Sequence, residues 1–190
     1  MPMIRESIVI TTDASGAAHI APLGLIEEEG GFIVAPFHPS RTLANLRARP
    51  TLTASVTDDA RVFAGCLTGR RDWPLTRAER IAGFYLAGAH SHRELEVARV
   101  TEDELRPRFH CRVVHEAAHG PAPGFNRAQG AVIEAAILVS RLGMLSEEKI
   151  RGELAYLEIA IAKTAGERER EAWGWLMAKI EAHFAGGRGA

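Results

Sequence analysis

The sequence predicts a mainly β protein with α content: a small closed β-barrel followed by a C-terminal three-helix segment. Three observations carry that expectation. The first half is a series of short, β-branched runs separated by turns, and closing such strands into a barrel removes their exposed edges. Ala117 to Phe125, AAHGPAPGF, is rich in proline and glycine and marks a boundary. Beyond it the hydrophobic period becomes helical. The 190 residues can bury a sizeable core and allow one domain with an appendage or two small ones. We divide the chain into a barrel domain over 1–120 and a helical domain over 121–190.

The elements follow in order. Glu6 to Thr12 reads as a strand, Asp13 to Gly16 as a turn, and Ala18 to Glu27 as its hairpin partner. Gly30 and Gly31 turn the chain into a short apolar strand, Phe32 to Ala35. Ser40 caps a short helix. After Pro50, Thr51 to Thr57 is a strand that ends in an Asp58-Asp59 turn stabilised by aspartate side chains. Arg61 to Gly65 and Thr68 to Trp73 are expected as further short strands. Thr76 to Ala89 has helical spacing, with Ile81, Phe84 and Tyr85 near one face. Glu94 to Val100 and Phe109 to Glu116 complete the strands. In the second part Asn126 opens a helix to Leu142, with Gln129 as capping-box partner and Gly143 as terminating glycine. Ser146 caps a second helix ending near Gly166, and a third runs from about Glu167 to Phe184. Short connections should pack these helices antiparallel.

Composition narrows the function. A hydrophobic share of 46% with 25% charged residues is that of a globular protein. The net charge of −1 argues against a nucleic-acid binder, which normally shows a basic surplus. Cys66 and Cys111 stand far apart and outside any CxxC spacing, which fits a reducing compartment. MPMIRESIVITT has no signal-peptide core, and no run reaches the roughly 18 apolar residues of a membrane span. The expected location is the cytoplasm.

The richest segment for chemistry is Pro36 to Leu46, PFHPSRTLANL. A helix N-terminus presents unpaired N–H groups and the positive end of its dipole. Ser40, Arg41 and Thr42 add two hydroxyls and a guanidinium, a donor set suited to a phosphate monoester, and an ordinary capped helix is the alternative. In His19 to Gly24, Pro22 and Gly24 interrupt a strand, either as a β-bulge or as backbone groups exposed to the edge of a flat heterocycle, with Gly24 leaving room above the sheet. Arg127, Glu134 and Arg141 recur every seven residues on one helix face. By default they form a solvated stripe, and the alternative is a buried Glu134 that aims Arg127 at a ligand or a second subunit. Among the histidines, His90 and His92, or His115 and His119, have spacings that metal sites use. No third ligand is fixed by spacing, so no metal is assigned and the histidines are read as surface groups. There is no GxSxG, Walker loop or dinucleotide fingerprint.

With ESIVITT, HIAPLGL, PFHPSRTLANL, SVTDDARVFAG and FNRAQGAVIEAAILVSRLGML in this order, the chain resembles a family of FMN-binding split-barrel proteins. That family is catalogued as domain of unknown function 447 and is related to flavin reductases and pyridoxamine-phosphate oxidases. The resemblance implies a six-stranded Greek-key split barrel that dimerises, with FMN near the subunit interface. It implies that Ser40, Arg41 and Thr42 take the FMN phosphate and that Asn45 supports their loop. The backbone of Ala21, Pro22, Leu23 and Gly24 would meet the isoalloxazine edge, and Pro36 with Phe37 would line the ring. Ser55, where relatives usually carry asparagine, and the helical pair Asn126 and Arg127 complete the implied site. Counted together with the resemblance, the apolar neighbours Val132, Ile133, Ile137 and Leu138 favour a buried Glu134. The expected function is a homodimeric flavin-reductase-like oxidoreductase that uses a nicotinamide donor on an unidentified substrate. A non-catalytic flavin carrier or regulatory FMN-binding module is the alternative.

Overall fold

A computed structural model describes residues 2–187. Among the described residues, eight strands and five helices follow one another: β1 (Ile4–Thr12), β2 (Ala18–Glu28), β3 (Gly31–Val34), α1 (Arg41–Ala48), β4 (Thr51–Val56), α2 (Ala60–Thr68), β5 (Leu75–Arg77), β6 (Phe84–Leu86), β7 (Ser91–Thr101), β8 (Arg108–Ala118), α3 (Arg127–Ser140), α4 (Glu147–Thr164) and α5 (Glu167–Gly187). They form two compact units, Met1–Thr57 with Trp73–Ala122, and Asp58–Asp72 with Pro123–Ala190. The units therefore do not follow chain order, because the segment carrying α2 groups with the C-terminal helices. None of the helices is long and apolar enough to cross a membrane, among the described residues.

In the first unit, six strands close a barrel in the order β1-β2-β3-β8-β7-β4, and every neighbouring pair is antiparallel. The expected first hairpin is present because Asp13 builds its turn. Its carboxylate accepts the N–H groups of Ser15 and Ala17 and the Ser15 hydroxyl, and Gly16 takes a left-handed φ of 91°. Val9, Leu25, Val34, Leu52, Leu95 and Phe109 alternate inward to fill the barrel. Gly31 is required by the close approach of β3 to β8, since a Cβ there would lie 2.1 Å from the Cys111 carbonyl oxygen.

Two sequence expectations fail around this barrel. Thr76 to Ala89 is not a helix but two three-residue strands, β5 and β6, joined by an irregular loop. Pro74, Gly83 and Gly88 disfavour a helix here, and the loop's N–H groups find a tertiary acceptor described below. Arg61 to Gly65 is not a strand but part of α2, over residues 60–68, and Thr68 to Trp73 is the end of that helix followed by irregular chain. Asp59 caps that helix through the Arg61 N–H, and Gly69 ends it at φ 91°. The β-branched and aromatic residues suggested a strand, but the faces of Ala60, Ala64 and Leu67 meet a helical partner.

The three expected C-terminal helices are present as α3, α4 and α5, and α2 joins them in the second unit. Ala60 and Ala64 of α2 pack with Ala128, Ala131 and Ala135 of α3, with Leu176 of α5 in the same core. Small side chains on facing helices permit close packing and leave few voids. Asn126 and Ser146 cap α3 and α4 as expected. Two terminal details differ. The Gln129 side chain donates to Glu169 at 3.3 Å instead of closing a capping box, and α3 ends at Arg141 without a left-handed glycine, leaving Gly143 in the following turn.

Asp59 also pairs with Arg61 at 2.7 Å, a guanidinium shared with Glu171 at 3.3 Å. Burial pushes the Asp59 carboxyl up, but the bonds from Arg61 outweigh it and hold it below the ordinary carboxylate range. A depressed folded pKa means that the cap's contribution is complete above the unfolded value and lost as pH falls through the folded one. Asp59→Ala should cost about 1–2 kcal/mol at neutral pH. The loss, measured by chemical denaturation, should shrink as the solution is acidified below the usual carboxylate range.

Candidate functional site

The N-terminal end of helix α1 gathers the donor groups expected from the sequence. Ser40 is extended (φ −153°, ψ 155°), and its hydroxyl accepts the Leu43 N–H at 3.2 Å. The N–H groups of Arg41 and Thr42, in the first turn, lie outside the helix's own bonding pattern. Arg41 is exposed and makes no hydrogen bond or ion pair among the described residues, and the buried Thr42 makes no side-chain hydrogen bond among them. The first turn carries no acidic residue that would compete with an anion. This donor set fits a phosphate: two hydroxyls, a free guanidinium and helix-end N–H groups.

The cradle is held rigidly. Asn45, 4% exposed, donates to the Thr11 hydroxyl of β1 at 3.0 Å. At the far end of α1, Arg47 makes a bidentate pair with Glu102 at 3.0 and 2.6 Å, and Arg49 donates to the Ala14 carbonyl at 2.8 Å. Sequence reading missed Arg106. Its guanidinium donates twice to the Ala35 carbonyl, at 3.1 and 2.9 Å, and lies 4.3 Å from the centre of the exposed Phe37 ring. With the His38 N–H on the Leu105 carbonyl, it fixes the approach to Ser40. Pro36 is buried beside it. No sequence signal marks Arg106, because its partners are backbone groups some seventy residues away.

Ala21 to Gly24 are placed differently from expectation. β2 is continuous and pairs with β1 throughout, from Ala18 to Ile26, so there is no bulge. β3 pairs only with Leu25 to Glu28, which leaves the other edge of Ala21 to Gly24 without a strand partner among the described residues. Pro22 suits such an edge because it has no N–H to offer a ladder. Gly24 does not open space above the sheet. A Cβ there would meet the Ile4 side chain at 2.5 Å, so the neighbouring strand already uses that room.

The remaining expected residues are engaged elsewhere. Ser55 is fully buried, and its hydroxyl accepts the Leu86 N–H of β6 at 3.1 Å. It pairs with Ile8 of β1, three residues, or about 10 Å of strand, from the Thr11 that holds Asn45. In the helical unit, Asn126 accepts the N–H groups of Ala128 and Gln129 and donates to the Thr164 carbonyl at 3.1 Å. Arg127, Glu134 and Arg141 are all exposed, and no ion pair joins them among the described residues. The expected burial of Glu134 is therefore wrong: the apolar neighbours lie on other faces of α3, where Val132, Ala135 and Ala136 carry the packing.

A second polar cluster occupies the barrel unit, and here the surface reading of the histidines fails. His92 and Glu94, on β7, are both fully buried. Glu94 accepts three consecutive backbone N–H groups, from Glu79, Arg80 and Ile81, at 2.6, 2.7 and 2.9 Å. Burial alone raises its carboxyl, yet these bonds and His92 outweigh burial and hold it below its ordinary value. Burial lowers the His92 imidazole. His92 Nε2 lies 3.3 Å from Glu94 Oε1, and its Nδ1 lies 2.8 Å from His119 Nε2. Tyr85 stacks over both rings, 3.8 Å from His92 and 5.0 Å from His119. Glu94 escaped sequence reading because a glutamate in an alternating strand looks like its solvent face.

The fold defines a split-barrel protein with flavin-reductase-like structural neighbours. Residues 5–120 match the N-terminal domain, and residues 126–178 the remaining part, of a family described as protein of unknown function, DUF447. The chain belongs to the DUF447 family. It is similar in structure to an FMN-bound protein of the same family from Methanosarcina mazei, with a TM-score of 0.82 at 19% identity, covering 94% of this chain and 96% of that one. A 2-nitrobenzoate 2-nitroreductase from Pseudomonas fluorescens has a TM-score of 0.52 at 17% identity, over 63% of this chain and 66% of its own. An NADH:FAD oxidoreductase from Streptomyces globisporus, solved with NAD and FAD fragments, has a TM-score of 0.51 at 16% identity, over 62% and 77%.

The Glu94 bonds give a direct expectation. Glu94→Gln turns an acceptor toward the 79–81 backbone into a partial donor and leaves buried N–H groups unpaired. The change should cost about 3 kcal/mol or more. Hydrogen exchange should speed up first at the amides of Glu79, Arg80 and Ile81.

Proposed function

We propose that this protein is an FMN-binding flavoprotein that acts as a flavin-reductase-like oxidoreductase, takes electrons from a nicotinamide and works as a cytoplasmic homodimer. The observation that carries the reading is the end of α1: a free arginine, two hydroxyls and helix-end N–H groups, with no competing acid, in a chain whose fold overlaps an FMN-bound relative over 94% of its length. FMN, when bound, supplies the redox chemistry, accepting a hydride and passing electrons on.

The chain's own residues bind and orient the cofactor. Ser40, Arg41 and Thr42 hold the phosphate, and Asn45 fixes their helix to β1 through Thr11. The unpartnered edge of Ala21, Pro22, Leu23 and Gly24 offers backbone groups to the heterocycle, and Pro36 and Phe37 flank the ring, with Arg106 bracing Phe37. Ser55 acts as a support within the barrel, since its hydroxyl is already committed to Leu86, while Asn126 is committed to capping α3. Arg127, exposed on α3, is the residue offered to a second subunit. Two buried, unpaired cysteines suit a reducing compartment: burial raises the Cys66 thiol to about 11 and the Cys111 thiol to about 12.

Arg41→Ala removes one charge-assisted partner of the phosphate. It should weaken FMN binding by about 1.5–3 kcal/mol, roughly ten- to a hundred-fold. Riboflavin, which has no phosphate, should bind wild type and variant equally in the same fluorescence titration. Unchanged FMN affinity would place the cradle elsewhere.

The loaded protein should bleach at its flavin band when NADH or NADPH is added without oxygen. Absence of bleaching would favour a flavin carrier. Sedimentation at micromolar concentration should give a dimer, and a flavin-replete monomer would refute the two-subunit arrangement.

A further inference from the structure

We infer that His92, Glu94 and His115, completed by Glu79, form a zinc-type divalent cation site that clamps the 79–81 loop to β7 and β8. One ligand atom from each of His92, Glu94 and His115 lies within 4.8 Å of the others. The His115 ring is 5.8 Å from the His92 ring, tilted by 54°, so its nitrogen approaches from a different direction. His115 Nε2 is buried and has no hydrogen-bond partner among the described residues, an arrangement that is costly for a polar atom. It does lie 3.4 Å from Glu79 Oε1, a separation without hydrogen-bond geometry.

The spacings are those of ligands around a small tetrahedral ion. Zinc binds nitrogen and oxygen at about 2.0–2.1 Å, which puts neighbouring ligand atoms of a tetrahedron about 3.3–3.4 Å apart. Two such edges are already formed: His92 Nε2 to Glu94 Oε1 at 3.3 Å, and His115 Nε2 to Glu79 Oε1 at 3.4 Å. Among His92, Glu94 and His115 the ligand atoms already lie within 4.8 Å of one another, and the exposed Glu79 side chain would swing in to close the fourth position.

The surroundings also suit a metal ligand set. A histidine that binds metal through one nitrogen usually donates its other N–H to an acceptor that fixes its tautomer. His92 has that partner in His119 Nε2, 2.8 Å from its Nδ1. Glu94 is oriented by three backbone N–H groups, which leaves Oε1 a lone pair in the direction His92 now occupies. Two imidazoles and two carboxylates make a borderline donor set that favours zinc over magnesium. Three ligands sit on strands, while Glu79 is 60% exposed and can swing aside for entry. The site then joins the loop to the barrel by side chains as well as through the Glu94 bonds.

The test is zinc titration of the full chain in competition with a fluorescent chelator, with metal content measured after desalting. One zinc per chain should be retained, the melting temperature should rise with zinc, and excess magnesium should not displace it. X-ray absorption at the zinc edge should show nitrogen and oxygen ligands without sulfur. His115→Ala should weaken zinc binding at least about a hundred-fold, and His119→Ala, which removes only the partner of His92, about ten-fold. Glu79→Gln, at an exposed position that leaves the fold intact, should also weaken it. Retention of less than one zinc per chain, displacement by magnesium, or wild-type affinity in both His115→Ala and Glu79→Gln would overturn the assignment.

Discussion

Barrel closure is the constraint on which the rest of the first unit depends. β4 must pair with β1 at Ile8 to Ile10 on one edge and with β7 from Thr51 to Val56 on the other. The chain reaches β4 from β3 by way of α1, so the helix must lie beside the end of β1, where Asn45 meets Thr11. The placement of the N-terminal end of α1 is therefore a by-product of closing the sheet. The same closure turns His92 and Glu94 inward, where carboxylate and imidazole need partners because water cannot supply them.

The two polar sites illustrate different physical economies. The α1 end leaves its charge unspent: Arg41 is exposed, and the first turn carries no acid. Its rigidity comes from groups around it, namely Asn45, Arg47, Arg49 and Arg106. The Glu94 cluster spends its charge internally. A fully buried carboxylate is tolerable only when nearly every lone pair is used, and three consecutive N–H groups achieve that while fixing a loop that lacks regular structure. That bonding explains how residues 78–83 stay ordered between two three-residue strands.

Local chemistry made several elements legible in advance. Asp13 to Gly16 forms its turn whatever surrounds it, because the carboxylate captures backbone within four residues. Ser40, Asn126 and Ser146 cap helices through N–H groups two or three residues away, and their positions were readable for the same reason. The family motifs carried the rest of the barrel's identity. The failures were nonlocal. Residues 60–68 have the β-branched and aromatic character of a strand, but their alanine face finds other helices. Residues 76–89 have helical spacing, but Glu94 from another strand captures their amides.

The candidate site divides the same way. Ser40 as a cap, with Arg41 and Thr42 in the first turn, was legible because an N-cap and its first turn are contiguous in sequence. Arg106, Tyr85, Glu94 and the joining of His92 with His115 were not, since each depends on strands brought together by closure. Glu134 was misjudged because apolar neighbours in sequence sit around a helix, and only packing decides which face is covered. By itself the sequence determined the turns, the caps, the donor groups at the start of α1 and the family, all products of short-range hydrogen bonding or contiguous motifs. Tertiary structure alone decided which polar side chains are buried and what they hold, because burial and long-range pairing exist only once the sheet has closed.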